Sequence, residues 1–136
     1  MTAQTQVIID WITGLGWDDR QELAWPVLPG PYVPEEPDRV VVITGGGGPG
    51  FTTEERATDA SNFQARVRGA PDDPLGTEET AGLLDDLITG AAFPVQVDGV
   101  WLVAANRVGS GPSPLPYDPA DRRIDFTANY TIVMGA

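Results

Sequence analysis

The sequence contains no lysine, no histidine and no cysteine, and all eight of its basic residues are arginine. Without histidine and cysteine there can be no Ser-His-Asp triad, no thiolate nucleophile and no ordinary zinc site. Without lysine there is no Schiff-base chemistry and no P-loop lysine. The lack of cysteine excludes disulfides and leaves the redox compartment open. Long apolar runs are missing too: none approaches the roughly 20 residues that a membrane-spanning helix needs. Met1 to Leu15 has spaced apolar residues with no basic stretch ahead of them, unlike a secretory signal. A soluble protein, intracellular where it is made and without a membrane partner, is expected.

What is abundant is acid. Twenty Asp and Glu face the eight arginines, a formal net charge of -12 over 136 residues. Such a chain repels phosphate backbones, so sequence-independent nucleic-acid binding is disfavoured. Hydrophobic residues still make up 41% of it, enough to build a core. The length suits one domain, residues 1–136, burying roughly two thirds of its unfolded surface.

The apolar pattern predicts the elements. Val7, Ile8, Trp11, Ile12 and Leu15 share one helical face, with Gly14 or Gly16 placed to end the helix. Five prolines between Leu23 and Pro37 forbid a helix and leave an extended, edge-like arm. The apolar residues of that arm, Trp25, Val27, Leu28, Tyr32 and Val33, require something to pack on. Arg39–Thr44 reads as a strand running into a Gly45–Gly50 loop, and Asn62–Arg68 alternates as a half-buried strand. Thr77 is the expected N-cap of a second helix with Ala81, Leu84, Leu87 and Ile88 inward, ending at Gly90. Phe93–Val97 and Val100–Val108 flank Asp98-Gly99, a two-residue hairpin turn. A Gly109–Asp121 loop follows, then a last strand burying Ile124, Phe126, Ala128, Tyr130, Ile132 and Met134. The order α-β-β-α-β-β-β describes an α+β fold with a mainly antiparallel sheet and two helices.

Chemical motifs are weak. Gly45, Gly47 and Gly50 satisfy G-x-G-x-x-G after a strand, but FTTEERATDASNF follows, with no helix to hold a pyrophosphate. Carboxylate pairs are the only acid/base chemistry left, with Asp72-Asp73, Asp85-Asp86, Glu54-Glu55 and the series Asp118, Asp121, Asp125 as candidates. Adjacent carboxylates point apart, and Asp118-x-x-Asp121 lacks the ligand count of a calcium loop. No catalytic, cofactor or metal residues are therefore assigned. Arg66 and Arg68, on one strand face, suit ion pairs within or between subunits. Among the tryptophans, Trp17 and Trp25 beside the prolines have the best claim to an interface.

The stretch FQARVRG at 63–69, the acidic helix and FPVQVDGVWLVAANRVGSGPSPLPYDPADRRIDFTANYTIVM at 93–134 resemble tail terminator, or minor tail, proteins of long-tailed bacteriophages. The N-terminal helix and proline-rich arm fit as well. The resemblance implies a non-enzymatic virion protein at the head–tail junction, made in the host cytoplasm. It implies a hexameric ring that caps the tail tube, stops its growth and meets the head-side connector. DNA would pass through without specific binding, kept from sticking by acids lining the channel. Self-association, the tube protein and the connector are the implied partners; no cofactor is. Candidate contact residues are Gly45, Gly46, Gly47, Gly48, Pro49, Gly50 and Phe51 in one loop. Pro112, Ser113, Pro114, Leu115, Pro116 and Tyr117 form a second group, joined by Trp25, Arg66 and Arg68. Another neck or head-completion protein, a monomeric binding module, and a small carboxylate- or metal-dependent enzyme are the competing readings.

Overall fold

A computed structural model describes residues 3–17, 25–46 and 58–135. Its first element, α1 (Gln4–Ile12), buries Val7, Ile8, Ile9, Trp11 and Ile12, so nearly its whole circumference is covered. A π-type turn, Thr13–Trp17, ends it where Gly16 takes φ +94°, the left-handed region that glycine enters without strain. The strands β1 (Val27–Pro29), β2 (Val40–Gly46) and β3 (Thr58–Arg68) come next. Helix α2 (Pro74–Thr89) follows, then β4 (Val95–Val97), β5 (Val100–Pro114) and β6 (Asp125–Gly135). The six strands make one sheet in the order β1-β2-β3-β6-β5-β4. Among the described residues β1 and β2 run parallel and the other strand pairs are antiparallel.

Both helices lie on one side of this sheet. Helix α1 touches β1 and β2 near one edge and β4 at the other, so the sheet curls around it. The Trp11 and Phe93 rings meet there, 5.7 Å apart. The inner face presents Val41, Ile43, Phe63, Ala65, Val67, Leu102 and the even-numbered residues 126–134 of β6, and these form the core with the two helices. Position 45 of β2 suits glycine because α1 passes close: a Cβ there would strike Thr5 Oγ1. Among the described residues no helix is long and apolar enough to cross a membrane.

The α+β class, the two helices and the mainly antiparallel sheet agree with the sequence reading, and Asp98 (φ +52°) and Gly99 (φ +78°) form the expected hairpin turn. Several local expectations need correction. The proline-rich arm contributes a strand: β1 pairs Val27 with Val41 and Pro29 with Ile43 along the sheet edge. Beyond it the arm crosses the other face of β2, where a Cβ on Gly30 would strike Thr44 and Val42. Val40 and Val42 are thus fully buried although they point away from the main core. Helix α2 starts at Pro74, one turn before Thr77, because Asp73 caps it by accepting from Gly76 N at 3.2 Å. Thr77 is instead a buried helical residue bonded to the Asp73 carbonyl. The Gly109–Asp121 loop begins as strand. Strand β5 bulges between Val108, opposite Asn129, and Ser113, opposite Thr127, then runs to Pro114. Gly45 and Gly46 likewise extend β2, opposite Phe63 and Asn62; Gly47–Phe51 and Glu54-Glu55 lie outside the described residues.

Candidate functional site

The side of the sheet away from the helices divides into two regions. One end is ionic. Arg66 holds the buried Asp125 carboxylate at 2.6 Å, and Arg123 pairs with Asp38 and with Asp121. Arg68, 6% exposed, donates to the carbonyls of Asp38 (3.1 Å), Glu35 (3.2 Å) and Pro37 (2.6 Å). Its planar fork of donors suits several fixed carbonyls, which a point-charge ammonium could not match. Burial, and then the neighbouring Arg123, hold the Arg68 guanidinium below its ordinary basicity. Arg68, expected from sequence to form ion pairs, instead binds main-chain carbonyls, and with Arg123 it straps the proline-rich arm to the sheet. Arg66 does form an ion pair, which ties β3 to the start of β6.

Among the described residues the remaining outward strand positions are uncharged. Cross-strand rows run Thr44–Gln64–Asn129–Val108, Gly46–Asn62–Thr131–Asn106 and Ala60–Val133–Ala104. Gln64 donates to Asn129, and Thr131 to Asn62, along neighbouring strands. No position in these rows is acidic, although the chain has twenty acids. No sequence motif marked the face, because its residues come from four strands.

On the helix side, Asp85 of α2 is buried and accepts from Tyr130 Oη at 2.7 Å and from Arg107 at 2.5 Å. The Tyr130 ring stacks on Phe63 with centroids 5.0 Å apart. Burial, reinforced by the Asp85 carboxylate, pushes the Tyr130 hydroxyl well above its usual range. The sequence pairs Asp85 with Asp86 as adjacent carboxylates pointing apart, and the structure buries the first and exposes the second. The position of Asp85 one residue after Leu84, in the Ala81–Leu84–Ile88 stripe, was the available signal for burial.

The other candidate carboxylates are tied into local structure. Asp72 pairs with Arg122 at 3.2 Å, Asp73 caps α2 and Asp118 accepts from Ala120 N. Asp10 and Asp98 share a hydrogen bond, which lowers the pKa of Asp10 and raises that of Asp98. Among the described residues no three acids converge as a metal site. Tyr117, with Asp72, Pro74, Arg122 and Ile124, lines a surface cleft of about 450 Å³. Trp25 is 4% exposed and its carbonyl accepts from Trp17 Nε1, so it anchors the arm within the core. The structure brings Arg68 together with the arm, holds Arg66 on Asp125, and sets Pro112–Tyr117 along the end of β5 and the turn beyond it.

No family model matches the chain, nor does any curated protein. Solved structures share its fold. A second chain of known structure, 17% identical, superimposes with a TM-score of 0.51 over 93% of this chain and 88% of its own. A chain from the virion of a native gene transfer agent particle superimposes with a TM-score of 0.58, at 15% identity, over 81% of this chain and 78% of that one.

Proposed function

We propose that this protein is a structural component of a phage-type virion, which caps the tail tube, ends its polymerisation and presents the docking surface for the head-side connector. The observation that carries the proposal is the fold shared, over most of both chains, with a chain of a gene transfer agent virion. The resemblance of residues 63–69 and 93–134 to tail terminators supplies the finer role. In it the chain works by shape and self-association, as a ring of six at the head–tail junction, with no chemical step. The tube and connector contacts are assigned to Gly45–Phe51 and Pro112–Tyr117. Carboxylates engaged in caps, ion pairs and a buried network are suited to such a scaffold.

The test is to remove the gene from the producing genome and inspect the particles by electron microscopy. Headless tails of uncontrolled length are expected. Tails of normal length that fail to join heads would move the chain to another neck position, and intact particles would overturn the virion role.

A further inference from the structure

The curled sheet gives this chain two contrasting surfaces on opposite sides. One is the outer sheet face, whose central rows hold Asn62, Gln64, Asn106 and Asn129 and no acid. The other is the solvent side of α2, where Leu75 is 74% exposed and Leu83 46%, beside exposed Glu79 and Asp86. At helical spacing Leu75, Glu79, Gly82 and Asp86 fall on one line, and α2 carries no basic residue. Gly82 is unexplained by the chain itself: a Cβ there would meet nothing within 4 Å. A glycine inside a helix is destabilising relative to alanine, so a site with room for a side chain that keeps glycine fits close approach from outside.

We propose that the solvent face of α2 in one copy docks on the outer sheet face of the next copy. This rests on the self-association in the function proposed above and names its contact. Two copies, each at -12, repel. The acids of α2 therefore need a surface that is free of carboxylates and bears donors. The side-chain amides of the sheet rows supply N–H groups for Glu79 and Asp86, and a hydrogen bond to an ionised acceptor is the stronger kind. Val108, exposed in the same rows, gives Leu75 and Leu83 an apolar counterpart. Gly82 lets the two backbones come close between them. Because the surfaces lie on opposite sides of one chain, the contact is head-to-tail, the kind that closes into rings when the rotation allows.

The test is sedimentation velocity over a concentration series on the purified full chain. Gly82→Leu fills open space on the helix, and Asn129→Asp places a like charge on the sheet face. Ala92→Asp adds the same charge at an exposed loop position outside both surfaces. The expected result is a sedimenting mass that rises with concentration for the native sequence and for Ala92→Asp. Gly82→Leu and Asn129→Asp should remain at the single-chain 14.5 kDa, with melting temperatures no lower than the native chain's. Self-association by both variants as strong as that of the native chain overturns the contact and leaves the ring intact. A native chain that stays single at every concentration overturns the contact as a self-assembly surface. The genome deletion above still decides the virion role in that case.

Discussion

Tyr130 donates its hydroxyl proton to Asp85 across the core, 2.7 Å away, and so joins the last strand to the second helix. The same carboxylate takes Arg107 from β5, so three elements meet at one buried acid. An unpaired carboxylate at that depth would be costly, and the two donors satisfy it. Tyr130→Phe removes one of them while preserving the ring stacked on Phe63. The expected loss is about 1.5–3 kcal/mol, the range for hydrogen bonds to charged groups, read from urea unfolding.

The same residue sets an alkaline limit. Tyr130 is held protonated beyond its ordinary range, so the unfolded chain loses this proton at lower pH than the folded chain does. Its stabilising contribution is complete below about pH 10, the ordinary tyrosine value, and declines as pH rises above it. The stability gap between the native sequence and Tyr130→Phe should hold up to about pH 10 and narrow as pH rises beyond it. A constant gap would show that the hydroxyl ionises equally in both states.

Arg68→Lys keeps the charge and loses the fork. One ammonium cannot reproduce the contacts to the carbonyls of Glu35, Pro37 and Asp38. A loss of about 1–3 kcal/mol is expected from acceptors left without a partner. Limited proteolysis should then cut the arm at 31–38 earlier than in the native protein. Unchanged cleavage would mean that β1 alone fixes the arm.

The start of α2 separates two caps. Asp73→Ala should cost about 0.5–2 kcal/mol by removing the side chain that accepts from Gly76 N. Thr77→Ser, which keeps the hydroxyl bonded to the Asp73 carbonyl, should leave the cap intact. Amide exchange at residues 75–77 would distinguish them, accelerating only in the first variant.

Asp98→Asn should raise the melting temperature at neutral pH. Asp98 faces Asp10, and their shared hydrogen bond raises the pKa of the first and lowers that of the second. The Asp98 contribution is present in acid and is lost as pH rises through its raised value, leaving two like charges together. Asparagine keeps a donor and suits the positive φ of the Asn-Gly hairpin turn. The gain should disappear in acid, where Asp98 carries its proton; a gain independent of pH would assign it to the turn alone.

The strand periodicity of β6 and the Asp98-Gly99 turn were legible because each is decided within a few residues. The same alternation that places Phe126 and Ile132 inside sends Asp125 to the opposite face, and nothing in that alternation signals that it is buried there. Asp125 is buried because Arg66, opposite Thr127 in the register, reaches it diagonally. The early start of α2 was open to recognition, since Asp73-Pro74 combines a cap with a proline at the first helical position. Strand β1 was harder to find. Its edge pairing to β2 depends on hydrogen bonds between distant segments, and the prolines in and around it remove the local signs of a strand.

By itself the sequence determined which chemistry is excluded, the acidic charge, the α+β class and the inward stripes of both helices. These follow from residue types and from periods of two and 3.6 residues, properties that each segment carries alone. Only the tertiary structure decided that Asp85 is buried, that Arg68 clasps the arm, and that amides from four strands share an acid-free face. Each of these depends on register and curl, which bring residues far apart in sequence within a few ångströms, and no local pattern encodes that distance.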